Sequence, residues 1–147
     1  MYQRILIATD GSALSKKAVR SAIGLAAATG AQLVALYVVP RYPTAYFEGG
    51  VSMSHLDIGR IERQWIDEGQ AVVDAVQLTG SAAGVKVKTV VVRSDLVAES
   101  IMSAARKHNC DLVVMASHGR KGIKRILLGS ETQHVLTHST IPVLVLR

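Results

Sequence analysis

The chain has 147 residues, 49% of them hydrophobic and 19% charged. That length suits a single domain spanning 1–147, and so apolar a composition excludes a disordered chain. The net charge of +6, from 17 Lys+Arg against 11 Asp+Glu, invites an anionic partner: nucleic acid, a membrane surface or a phosphate ligand.

The first strand is expected at Arg4–Thr9 (RILIAT), a short apolar run ending at Asp10-Gly11-Ser12. Ser12 can cap a helix over Ala13–Thr29, where Val19, Ala22, Ile23 and Ala26 share one face. Gly30 ends it. Gln32–Val39 (QLVALYVV) is the second strand, stopped by Pro40. Arg41–Ser54 is irregular and carries Tyr42, Tyr46 and Phe47, which could stack on a ligand, close over a site or reach another subunit. A long helix follows from about Ser54 to Thr79, with Trp65 on its inward face, and Gly80-Ser81 and Gly84 close it.

Lys86–Arg93 is the third strand, Asp95–His108 the third helix and Asp111–Ala116 the fourth strand. Ser130–His138 is a short helix, and Pro142–Leu146 (PVLVL) the last strand. Alternating strands and helices imply an α/β fold, with a mostly parallel sheet covered on both faces. Such sheets bind ligands beyond the carboxyl ends of their strands, where the strand order reverses.

Cys110 is the single cysteine, so an internal disulfide and a Cys-rich zinc site are excluded, and a buried structural thiol is expected. The N-terminal stretch reads as a strand rather than a leader, and no apolar run reaches the roughly 18 residues that span a bilayer. A soluble cytoplasmic protein is the expectation.

The richest chemistry follows the fourth strand, in Ser117-His118-Gly119-Arg120-Lys121-Gly122 and then Gly129-Ser130. Glycines let backbone approach a ligand, a helix start attracts phosphate, and Arg120, Lys121, Lys124 and Arg125 concentrate positive charge. The plainer reading is a glycine turn, solvated basic residues and a capping box formed by Ser130 and Gln133. Asp10 is either a turn acid or part of a site at the end of the first strand. His118 is either a phosphate donor or acid/base, or simply solvated. His134 and His138 share a helix face without an evident third metal ligand. The P-loop, G-x-G-x-x-G and G-x-S-x-G motifs are absent. No stacking aromatics interleave Arg120–Arg125, which counts against nucleic acid.

Over its whole length the chain resembles the universal stress proteins, through "ILIATDGS", "DLVVMASHGRKGIKRILLGS" and "THSTIPVLVLR". The nucleotide signature of that family's ATP-binding branch is G-x-x-G, nine residues, then G-[ST]. Here Gly119, Arg120–Leu128 and Gly129-Ser130 keep its spacing, while Ala116 stands at the first glycine.

The resemblance implies a five-stranded parallel sheet in the order 3-2-1-4-5, flanked by four helices. It implies ATP, with Mg²⁺, as ligand, and a homodimer formed through Pro142–Leu146. It places Ala8, Thr9 and Asp10 near ribose and adenine, and the backbone of Val38 at the adenine edge. Met115 and Ala116 fall against ribose and phosphates, and Ser117, His118, Gly119 and Arg120 in the phosphate turn. Gly129, Ser130 and Glu131 fall at the helix start that receives the β- and γ-phosphates. Glu131 is a departure there, since a carboxylate repels phosphate unless it is turned away or bridged by Mg²⁺.

No catalytic residue and no protein metal site is expected. The function implied is a nucleotide-dependent stress-response module with at most slow ATP hydrolysis. The competing readings are a non-nucleotide-binding interaction protein of the same fold and a nucleotidyl-transferring α/β enzyme.

Overall fold

The computed structural model describes residues 1–41, 55–119 and 128–147. The aromatic loop with Tyr42, Tyr46 and Phe47, and the basic run with Arg120, Lys121, Gly122, Lys124 and Arg125, lie outside the described residues.

The elements run β1 (Arg4–Ala8), α1 (Ala13–Thr29), β2 (Gln32–Val39), α2 (His55–Ala82), β3 (Val87–Arg93), α3 (Val97–Lys107), β4 (Leu112–Ala116), α4 (Ser130–His138) and β5 (Val143–Leu146). All four strand pairings are parallel, and the order is β3-β2-β1-β4-β5, as expected.

The central strands β1, β2 and β4 are largely apolar because both their faces are covered. Side chains alternate: Ile5, Ile7, Leu33, Ala35, Leu112 and Val114 meet α1 and α2 on one face. Leu6, Val34, Leu36, Val113 and Met115 meet α3 and α4 on the other. Ala18, Ala22 and Ala26 are fully buried on α1, and their small side chains let that helix lie close to the sheet. Trp65 is half-buried against the same core.

Element ends differ from expectation where side chains take other partners. Asp95 does not begin α3, because its Oδ1 accepts from the Arg41 amide at 2.9 Å and holds it to the end of β2. Asp111 does not begin β4, because its carboxylate accepts from the Gln3 and Arg4 amides at 2.9 and 3.1 Å. The two α2 glycines near its sheet-facing stripe have a packing role. Gly69 lies under the Tyr37 ring, where a Cβ would come within 2.6 Å of Cδ1, and Gly80 lies against Val87. Gly80 therefore does not end the helix, which runs on to Ala82, and Gly84 makes the turn with φ +76°.

Among the described residues no helix is long and apolar enough to cross a membrane.

Candidate functional site

The strand order reverses between β1 and β4. The chain leaves β1 toward β2 and β3 on one side, then crosses to β4 and β5 on the other. Two connections diverge above that point, where sheets of this kind commonly form a ligand crevice.

The β1 side is held by a hydrogen-bonded turn. Thr9, 7% exposed, joins its Oγ1 to Ser15 Oγ at 2.6 Å, and its amide donates to Leu36 O at 3.0 Å. The Asp10 amide donates to Ser15 Oγ at 3.2 Å, and the Gly11 amide to Thr9 Oγ1 at 3.3 Å. Asp10 Oδ1 accepts from the Ser12 amide at 2.9 Å, while Ser12 Oγ caps α1 by accepting from the Ser15 amide at 3.3 Å. Asp10 is thus held in one place by the turn that starts α1. Ser15 is the buried centre of this arrangement, and helical periodicity gives no sign of it. The spacing Ser12-x-x-Ser15 was the available signal.

The β4 side is built to let the chain leave and return at one point. The Ser117 amide donates to Leu146 O at 2.7 Å, extending the β4–β5 pairing by one residue. The chain then passes His118, whose Nδ1 lies 3.3 Å from Ser117 Oγ, and Gly119. A Cβ on Gly119 would stand 2.7 Å from Asp10 Oδ2, so this glycine brings the two sides of the crevice together. The chain returns at Leu128-Gly129, where the Gly129 amide donates to Ser117 O at 2.7 Å. The first intrahelical bond of α4 is from Gln133 N to Gly129 O, at 3.0 Å, so the amides of Ser130, Glu131 and Thr132 precede the ladder.

Buried Thr132 fixes this helix start by donating from Oγ1 to Ala116 O at 3.0 Å. In the sequence Thr132 reads as an ordinary helix residue. The expected capping box does not form. Gly129 is the N-cap, with no side-chain cap bond, and Ser130 sits exposed one residue inside the helix. Gln133 Nε2 instead donates to Leu128 O at 3.2 Å.

Both departures from the phosphate signature have a structural explanation. The Ala116 side chain, on the last residue of β4, belongs to the core beneath α1 and α2. Glu131 turns to α3, where its Oε2 accepts from the Ala98 amide at 2.9 Å. The N-cap of α3, Leu96, offers no side-chain acceptor, so Glu131 supplies one from a neighbouring helix. The carboxylate that would repel phosphate is committed elsewhere.

Ala8 and Val38 lie at the ends of β1 and β2, half-buried against the α3/α4 core, and Met115 is buried in that core. Every expected site residue except Arg120, which is outside the described residues, lies at the carboxyl end of the sheet or at the start of α4. His134 and His138 stand apart from it. Their rings are 4.4 Å between centroids, and His138 Nδ1 is 3.0 Å from His134 O. No group of three metal-ligating side chains occurs among the described residues.

Residues 1–147 match the profile of the Universal stress protein family. The chain belongs to that family. It is 34% identical to the universal stress protein MJ0531 of Methanocaldococcus jannaschii, covering all of this chain and 83% of that one. The solved structure of MJ0577, from the same organism, superposes with a TM-score of 0.83 at 26% identity, over 99% of this chain and 96% of that one. The universal stress protein of Archaeoglobus fulgidus, solved in complex with dAMP, superposes with a TM-score of 0.67 at 19% identity, over 99% and 98% of the two chains.

Proposed function

We propose that this universal stress protein binds ATP, with Mg²⁺, in the crevice between β1 and β4. In this reading it works as a dimeric, nucleotide-dependent regulatory module with at most slow hydrolysis. The observation that carries the reading is the closure of the β4 loop. Gly129 returns to Ser117, and Gly119 meets Asp10, so a helix start and a glycine turn flank one fixed carboxylate. Three amides at the start of α4 and the positive end of its dipole suit phosphate oxygens.

Asp10, with Ala8 and Thr9, would meet ribose and adenine, and the Val38 backbone the adenine edge. Met115 and Ala116 would lie against ribose. Ser117, His118, Gly119 and Arg120 would surround the phosphates, and the amides of Gly129, Ser130 and Glu131 would approach their distal end. Mg²⁺ would offset the phosphate charge. The relative solved with dAMP supports an adenine nucleotide as the ligand class.

Dimerisation rests on β5. It is an edge strand, paired through β4, with Leu144 40% exposed, and an apolar edge favours pairing with a second copy.

The test is direct. Nucleotide released by denaturing the purified protein is identified by chromatography, and melting is then followed with ATP, with and without Mg²⁺. ATP at 100 times its dissociation constant should add about 2.7 kcal/mol of stability. Absence of both co-purified nucleotide and any melting shift at millimolar ATP would overturn the proposal.

A further inference from the structure

At the opposite end of the sheet, the amino ends of β1, β2 and β3 and the carboxyl end of α3 line an open cavity of about 350 Å³. Its cationic lining comes from separate elements: Arg4 on β1, Lys86 and Lys88 at the start of β3, and Lys107 at the end of α3. His108 and Asn109 complete that side. None of the described residues lining the cavity is acidic. The adjacent acid, Asp111, is committed to the Gln3 and Arg4 amides.

We propose that this cavity is a second anion site, which takes a chain of two or more phosphate groups. Three observations support it. The volume lies within the range of small-ligand pockets, roughly 300–1,000 Å³. Four like charges line one cavity with no acid among them, an arrangement that favours a polyanion. The negative end of the α3 dipole, which would oppose an anion, is partly neutralised: Arg4 Nη1 donates to His108 O at 2.8 Å. That bond uses one of the five guanidinium donors.

The strand amides here are engaged. Gln32 donates to Gln3 O at 3.0 Å and Leu33 to Lys86 O at 2.9 Å. Binding would therefore depend on side chains and respond strongly to salt. His108 already registers the charge. Burial, then Lys88, Lys107 and Arg4, hold its pKa below the usual histidine value. This site is independent of the nucleotide reading, since the two lie at opposite ends of the strands.

The experiment is an amide and histidine-ring NMR titration of the whole chain at low ionic strength. The probes are sodium tripolyphosphate and ATP, with NaCl at matched ionic strength as control. Saturable shifts at Leu33, Lys88, Lys107, His108 and Asn109, with a rise in the His108 pKa, are expected with tripolyphosphate. Similar shifts there with ATP would mean that the phosphate chain is read whether free or on a nucleotide. No such shifts with ATP would assign the site to free polyphosphate.

Lys88 and Lys107 are exposed, so the K88E/K107E variant should keep its fold and bind tripolyphosphate about tenfold more weakly or worse, because two solvent-exposed cations facing the anion are reversed. Equal affinity in that variant, shifts reproduced by NaCl, or tripolyphosphate shifts confined to residues 117–119 and 128–131 would overturn the proposal. Loss of ATP shifts at those latter residues alone would bear on the nucleotide reading and leave this one standing.

Discussion

The two ends of the sheet handle charge in opposite ways. At the carboxyl end, backbone amides and short side chains are fixed by hydrogen bonds: Thr9 to Ser15, Thr132 to Ala116 O, Gly129 to Ser117 O. At the amino end, the long side chains of Arg4, Lys86, Lys88 and Lys107 gather around a cavity. The first arrangement is preorganised, so it can select a ligand by shape. The second would select mainly by charge, and its long arms would lose more entropy on binding.

The largest effect should come from Gly129→Val. Its branched side chain would crowd the space where backbone meets phosphate and remove two or more charge-assisted hydrogen bonds, so ATP affinity should fall by about a hundredfold or more. Gly129→Ala sharpens the test. The protein itself has room for a methyl there, since the nearest atoms would be 3.4 Å away, and φ −62° suits any residue. Its melting temperature should match the wild type, so any loss of ATP affinity reports the ligand. Calorimetric titration with ATP checks both, and wild-type affinity in Gly129→Val would place the phosphates elsewhere. Tripolyphosphate binding at the amino end should be unchanged in either variant.

Next in size is Thr132→Val. The shape is kept, but Ala116 O loses its buried donor, which costs about 1–3 kcal/mol. Urea denaturation should show that loss. ATP affinity should fall too, because the helix start is no longer tied to the end of β4. A stable variant with wild-type affinity would show that the α4 amides need no such anchor.

What the sequence made legible follows from this contrast. Periodicity locates the strands and helices because burial sets the period, and the glycine spacing from Gly119 to Gly129 points to the turn proposed to hold phosphate. Ser15 and Thr132 escaped, because a polar residue buried for one hydrogen bond leaves no periodic trace. The direction of Glu131 was equally hidden, since its partner, Ala98, lies 33 positions away in the chain. The amino-end cluster escaped for a topological reason. Arg4, Lys86, Lys88 and Lys107 are scattered along the chain, and only the parallel crossovers bring them together. The dense run Arg120–Arg125 is plain in the sequence because its charges are neighbours along the chain.

Glu131→Gln is a smaller perturbation that joins the two helices. The amide oxygen can still accept from Ala98, but it loses the charge that favours the α3 N-terminus, worth about 0.3–1 kcal/mol. Glu131→Ala also loses the acceptor, at a cost typical of a removed cap, about 1 kcal/mol. Hydrogen exchange at Ala98 should quicken most in the alanine variant. If neither variant changes that amide, Glu131 does not cap α3 in solution. In that case its carboxylate is free to oppose phosphate, and both variants should bind ATP more tightly than wild type.

A last prediction, confined to alkaline pH, tests the packing beside the amino end by titration. Cys110, buried beside the amino end, has its thiol pushed up to about 11, chiefly by burial, with Asp111 adding to the rise and Arg4 opposing it. An unfolded thiol ionises near 9.0, so between pH 9 and about 11 the unfolded chain releases a proton that the folded chain keeps. The unfolded state then binds fewer protons, and stability must fall as pH rises through that window. Lysines and tyrosines titrate in the same range, so the comparison is with Cys110→Ala under reducing conditions. The gap in unfolding free energy between the two proteins should narrow steadily above pH 9. Parallel curves would mean that Cys110 reaches solvent in the folded state. They would then contradict the tight packing of Cys110 at the start of β4.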